Sequence, residues 1–189
     1  DLKFQGESTT VEIGDRSTIR ECVTINRGTK AYGKTMVGKD CLIMAYVHIA
    51  HDCILGDHVI LVNSVALAGH VEIGDYAIIS GLSAVHQFVK IGAHVMIGGG
   101  AMVRKDVPPF ITAAGEPLAY AGVNSVGLKR RDFSQEEINE IQTLYRTLYQ
   151  SGMNVSQAVR KIEETYSKLP VADAILSFIE QSDRGLIRK

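Results

Sequence analysis

Val47-His48-Ile49-Ala50-His51-Asp52-Cys53-Ile54-Leu55-Gly56-Asp57-His58-Val59-Ile60-Leu61 is the stretch whose reading decides the fold. Ile49, Leu55 and Leu61 stand six residues apart, and a small or β-branched residue (Val47, Cys53, Val59) precedes each by two. Carried toward the N-terminus, the same beat takes in Val37, Ile43, Ala31, Ile25, Ile19 and Ile13. Carried forward, it runs through Leu67, Ile73, Ile79, Val85, Ile91 and Ile97 to Val103. Glycine often follows the aliphatic residue, as at Gly14, Gly38, Gly56, Gly74, Gly92 and Gly98. A period of six fits no α-helix, and it is the hexapeptide signature of a parallel β-helix.

The geometry follows from the period. Side chains alternate faces along a strand, so the small residue and the aliphatic one two places later point the same way. That way is inward, since outward they would paint a continuous apolar stripe. Three hexads close a triangular coil of eighteen residues, with successive coils about 4.8 Å apart. Residues n and n+18 are then neighbours, and only a stack of coils buries a core.

Composition adds bounds. A net charge of −1 over 189 residues argues against nucleic-acid binding, and like charge runs no longer than Lys129-Arg130-Arg131. The three cysteines, Cys22, Cys41 and Cys53, form no C-x-x-C pair, and the latter two occupy inward positions as reduced thiols. No signal peptide or transmembrane run is expected, and the thiols fit a cytoplasmic location. The chain opens on Asp1 and enters the repeat almost at once, so further coils are expected ahead of it.

The reading divides the chain into a parallel β-helix over 1–109, a connector over 110–131 and an α-helical domain over 132–189. The repeat is expected to end at Val107-Pro108-Pro109, because proline cannot donate to a ladder. Ser134 and Glu137 form a capping box that opens a helix with Ile138, Ile141, Leu144, Tyr145 and Leu148 on one face, ended by Gly152. Two more helices are expected over Val155–Leu169 and Val171–Gln181.

The polar exceptions to the repeat carry the chemistry. Stacking places Gly69 over His51 and His70 over Asp52, so one lateral strip bears two imidazoles, a carboxylate and a glycine. That set suits acyl transfer. Neutral His51 takes a proton from an attacking hydroxyl, Asp52 biases its tautomer, and the Gly69 N–H meets the oxyanion. His58, Tyr76 and His94 stack at another corner, where a hydrogen-bonded column is expected. A metal site is the alternative reading of the histidines, but His48 and His51 lie three apart and point in different directions, so no metal is expected.

The ordered set His48-Ile49-Ala50-His51-Asp52-Cys53, Leu67-Ala68-Gly69-His70-Val71, Ala84-Val85-His86-Gln87-Phe88, Ile91-Gly92-Ala93-His94-Val95-Met96, Gly122-Val123-Asn124 and Gly127-Leu128-Lys129-Arg130-Arg131 resembles the acyl-[acyl-carrier-protein]–UDP-N-acetylglucosamine O-acyltransferase family. The resemblance covers essentially the whole chain. It implies a left-handed β-helix, the exception to right-handed parallel crossovers. It implies transfer of a long-chain (R)-3-hydroxyacyl group from acyl carrier protein to the glucosamine 3-hydroxyl of UDP-N-acetylglucosamine, the first step of lipid A biosynthesis. By the same resemblance His51, Asp52 and Gly69 match the base, its orienting partner and the oxyanion donor. His48, His70, His86 and Gln87 match the sugar-nucleotide cleft, and Asn124, Arg130 and Arg131 the donor and nucleotide end. Asp1 and Lys3 match residues near the acyl hydroxyl and sugar, and Gly99 with Met96 the positions that set acyl length. No bound cofactor is implied, since the acyl group arrives on the 4′-phosphopantetheine of acyl carrier protein. A cytoplasmic homotrimer with active sites between subunits is implied too. Three rivals share the scaffold: an N-acyltransferase of the same pathway, an acetyl-CoA sugar acetyltransferase, and a zinc-dependent γ-class carbonic anhydrase.

Overall fold

The computed structural model describes residues 4–167 and 169–188. Among them the strands wind five coils of three. The first coil holds β1 (Thr10–Ile13), β2 (Thr18–Ile19) and β3 (Thr24–Ile25), the second β4 (Lys34–Val37), β5 (Leu42–Ile43) and β6 (His48–Ile49). The third holds β7 (Ile54–Leu55), β8 (Ile60–Leu61) and β9 (Ala66–Leu67), the fourth β10 (Glu72–Ile73), β11 (Ile78–Ile79) and β12 (Ala84–Val85). The fifth holds β13 (Lys90–Ile91), β14 (Met96–Ile97) and β15 (Met102–Val103). Corresponding strands pair in parallel and build three faces: β1-β4-β7-β10-β13, β2-β5-β8-β11-β14, and β3-β6-β9-β12-β15.

The inward set is the expected one from the second coil up. Ile43, Val47, Ile49, Cys53, Leu55, Val59, Leu61, Val65 and Leu67 are all buried at 0–2% exposure with Cys41. A fully buried Leu or Ile contributes about 1.5–3 kcal/mol relative to an exposed one, so the column supplies most of the prism's stability. In the first coil Val11, Ile13 and Ile19 are exposed.

The stacking rule needs one correction. Between upper coils the offset is 18, as for Lys39 with Asp57. Between the first and second coils it is 24, as for Thr24 with His48. The extra hexad is looped out over residues 26–33, and Ala31 sits exposed in it rather than in the core. Two glycines permit the detour. A Cβ on Gly28 would overlap the Lys34 backbone, and Gly33 has φ +73°.

The ladder also runs past the two prolines. β16 (Ile111–Ala114) pairs in parallel with β14, Met96 opposite Thr112, and β17 (Ala119–Val123) folds back antiparallel on it. Pro108 and Pro109 lie in the turn between, where no ladder bond is asked of them. A short helix follows, α1 (Ser125–Lys129), then α2 (Gln135–Gln150), α3 (Val155–Tyr166) and α4 (Pro170–Glu180). The Ser134–Glu137 capping box is present, and Gly152 (φ +76°) follows the end of α2. The second expected helix stops at Tyr166, short of Leu169, because the chain must turn into Pro170 at the start of α4.

The chain end is tied back onto the prism through Asp106. This fully buried carboxylate accepts hydrogen bonds from the Lys90 and Arg184 N–H groups and the Ser182 hydroxyl. Ile187 is thereby seated in the core. No helix among the described residues is long and apolar enough to cross a membrane.

Candidate active site

Most corners of the coils turn on a residue with positive φ. At the corner between the third and first faces these are Asp52 (φ 59°), His70 (61°) and Phe88 (63°). The left-handed region costs a non-glycine residue about 1–2 kcal/mol. It is accepted here because the backbone around it is bonded on both sides: the Asp52 N–H donates to Thr35 Oγ1 and the His70 N–H to His51 O.

Two vertical columns result. One is His51, Gly69, Gln87; the other is Asp52, His70, Phe88. His51 Nδ1 lies 2.8 Å from Asp52 Oδ2, and Asp52 is fully buried while the imidazole is 35% exposed. With the carboxylate ionised, Nδ1 is the donor, which leaves Nε2 unprotonated on the open side. Burial pushes the Asp52 pKa up, but the Thr29 hydroxyl and N–H, His51 and His70 together outweigh it and hold the group below the usual carboxylate range.

Gly69 lies against the ring. A Cβ there would come within 2.6 Å of His51 Cε1 and 2.8 Å of Nε2, so any side chain would displace the imidazole. Neighbouring amides are engaged, Ala68 with Val85 O and His70 with His51 O, whereas among the described residues the Gly69 N–H has no acceptor. A free N–H next to a free imidazole nitrogen is what a tetrahedral oxyanion formed beside a base requires.

His70 is mostly enclosed. Its ring stacks on Phe88 at 4.5 Å and meets Tyr32 and His51 edge-on, with Nε2 3.7 Å from Asp52 Oδ2. Burial, aided by His51 and opposed by Asp52, lowers its pKa, so it is neutral at pH 7. His51, Asp52 and His70 are close enough together to hold an ion. The carboxylate, however, already accepts four hydrogen bonds, from the Thr29 N–H and hydroxyl, the Tyr32 N–H and His51. A metal would have to break one of them, so the geometry suits a base and its orienter instead.

The remaining expected residues separate. His48 projects from β6 with Nδ1 2.7 Å from Thr24 Oγ1, and His86 and Gln87 are exposed on the coil above Gly69. Gly99 lies at the corner between the second and third faces, where a Cβ would make ordinary contacts with Gly81 and Ser80, and Met96 projects from the second face. Asn124, Arg130 and Arg131 are at the remaining corner. Asn124 is 8% exposed and its amide is spent on His94 O and the Gly127 N–H. Arg131 lies over the Tyr76 ring at 5.2 Å, and Arg130 is exposed. Asp1 and Lys3 lie outside the described residues.

The His58–Tyr76–His94 column is aromatic, not hydrogen-bonded. Its rings stack at 4.4 and 5.0 Å, continuing onto Phe110. Two residues missed in the sequence belong to the site, Thr29 and Tyr32. The signal was a Gly28–Gly33 bracket around Ala31, which fitted the six-residue beat by coincidence. Cys53 is buried, and burial pushes its thiol up to about 11, so it offers no nucleophile.

With a histidine hydrogen-bonded to a buried carboxylate at one corner of its hexapeptide prism, the chain is an acyltransferase of the left-handed β-helix class. Comparison with known proteins narrows this. A family profile described as "Udp N-acetylglucosamine O-acyltransferase; Domain 2" matches residues 106–187, and the bacterial transferase hexapeptide profile matches 34–69. The acyl-[acyl-carrier-protein]–UDP-N-acetylglucosamine O-acyltransferase of Janthinobacterium sp. (strain Marseille) is 50% identical, over all of this chain and 74% of its own. The solved UDP-N-acetylglucosamine acyltransferase of Bacteroides fragilis superposes with a TM-score of 0.96 at 50% identity, covering 100% of this chain and 74% of that one. The Francisella novicida enzyme gives 0.96 at 42%, covering 100% and 70%. The chain belongs to the acyl-[acyl-carrier-protein]–UDP-N-acetylglucosamine O-acyltransferase family.

Proposed function

We propose that the chain transfers a long-chain (R)-3-hydroxyacyl group from acyl carrier protein to the glucosamine 3-hydroxyl of UDP-N-acetylglucosamine, opening lipid A synthesis, with His51 as general base. The observation that carries this is the pairing of His51 with buried Asp52, with Gly69 close against the imidazole and its N–H without an acceptor among the described residues. His51 Nε2 takes the hydroxyl proton as the oxygen attacks the thioester carbonyl, and the oxyanion forms toward the Gly69 N–H. Collapse breaks the carbon–sulfur bond, and the imidazolium returns its proton to the departing phosphopantetheine thiolate. The donor is a substrate, so the step needs no resident cofactor.

The assembly we propose is a homotrimer with sites between subunits, in the cytoplasm. The second face supports it. Leu42, Ile60, Ile78 and Met96 stack in register along its outer side, an apolar stripe suited to a second copy. Packing copies side by side would also bring the Asn124–Arg131 corner of one toward the His51 corner of another, since one prism keeps them apart. His48, His70, His86 and Gln87 then line the sugar-nucleotide side. A cavity of about 590 Å³, lined by Gly100, Met102, Pro117 and Leu118 beside Gly99, suits the acyl tail.

Transfer to UDP-N-acetylglucosamine, read by mass spectrometry, tests the reaction and the base together. Wild type should give an O-acylated product, and His51→Ala should lose about 10²–10⁴-fold in turnover while keeping its fold. Undiminished turnover in that variant would remove His51 from the mechanism.

A further inference from the structure

Residues 26–33 form an irregular turn at the His51 corner, and the buried carboxylate is tied to it. Thr29 Oγ1 donates to Asp52 Oδ2 at 2.6 Å, the same oxygen that His51 Nδ1 meets at 2.8 Å. The Thr29 N–H donates to Oδ1 at 2.8 Å, with the Tyr32 N–H at 3.3 Å. The polarity of the hydroxyl is set from behind, because Oγ1 accepts from the Ala31 N–H at 3.2 Å and so turns its proton to the carboxylate. The loop is itself anchored: Gly33 N–H to Thr29 O, Gly28 N–H to Thr10 O, and Arg27 to Thr9. It also walls a cavity of about 620 Å³ that Arg27, Gly28 and Thr29 share with His51.

We propose that Thr29 is a positioning residue for the transfer reaction, holding Asp52 so that the carboxylate orients His51 without over-stabilising its protonated form. This rests on the reading of His51 as the base. An ionised carboxylate oxygen that receives a second strong donor has less charge to offer the imidazolium. The hydroxyl therefore limits how strongly the carboxylate holds the imidazolium once His51 has taken the proton. The groups facing His51 are Asp52 and His70 at the same corner and Glu7 and Arg27 across the cavity. Of these, only Asp52 is hydrogen-bonded to Thr29.

Thr29→Val deletes the hydroxyl and keeps the N–H and the β-branch; Thr29→Ser restores the donor. The assay is acyl transfer to UDP-N-acetylglucosamine across pH, with thermal melts of each variant. For Thr29→Val we expect kcat down roughly ten-fold, the loss of one hydrogen bond to a charged group, with KM near wild type. The acid limb of kcat/KM should move to higher pH, and Thr29→Ser should recover both. If the valine variant does not fold, Thr29→Ala removes the same hydroxyl without the added methyl and takes its place. A loss of kcat with the acid limb unmoved, or a wild-type profile, overturns the proposal while leaving His51 in place. His51→Ala at wild-type rate would bring down the base reading, and this inference with it.

Discussion

Two corners of the prism carry imidazoles in vertical register, and they do opposite things. At one, His51, Asp52 and His70 form a polar cluster with an exposed nitrogen at its edge. At the other, His58, Tyr76 and His94 are stacked face to face, with Phe110 and Phe133 packed on His94 and Arg131 over Tyr76. Backbone conformation does not separate Asp52 and His70 from His58, Tyr76 and His94, all at φ near 60°, whereas His51 stands one place before that turn position. The neighbours set the two corners apart. A buried carboxylate below and a glycine above leave His51 one bonded and one free nitrogen. Aromatic rings above and below leave His94 as a packing element.

The sharpest way to break the comparison after His51→Ala is to fill the space over the ring. Gly69→Ala would set a Cβ 2.6 Å from His51 Cε1, and the displaced imidazole should cost about 10²-fold in kcat, measured by the same transfer assay. A variant that turns over normally would mean the imidazole does not need its observed position. Asp52→Asn comes next, at roughly 10–10²-fold, because it exchanges a charged hydrogen bond for a neutral one and leaves the base in place. Activity equal to wild type would reduce Asp52 to a structural role.

The smallest effect belongs to the other corner and is one of stability. Burial first, then Arg131, depresses His94 to about 4, against the opposing Asp75. An unfolded imidazole titrates near 6.5, so between those values the unfolded chain binds the extra proton and the fold loses stability as pH falls. Below about 4 both states are charged and the loss stops growing. His94→Gln should flatten the fall in urea midpoint between pH 6.5 and 4, with turnover at pH 8 unchanged. An unaltered slope would place that acid sensitivity elsewhere.

Much of this contrast is legible in the sequence. Gly69 over His51 and His70 over Asp52 follow from an eighteen-residue coil, because parallel strands in register stack like on like. The second corner's column is legible too, but not its chemistry: residue spacing says that rings are neighbours, not that they lie 8–9° from coplanar. Thr29 is hidden by the same regularity that exposes the rest. Ala31 falls on the beat, so a looped-out hexad reads as a core one. The 24-residue offset of Thr10 with Lys34, Thr18 with Leu42 and Thr24 with His48 reveals it.

By itself, then, the sequence determined the prism, its inward residues, and which residues above the second coil lie over one another. These depend on a repeat, and a repeat is local information. Tertiary structure alone decided that a surface loop returns to clamp Asp52, that strands resume beyond Pro109, and that the chain end is drawn in by Asp106. Each depends on a contact between residues with no periodic relation. Its free energy comes from satisfying a particular buried polar group, and no local pattern encodes which distant donor will do so.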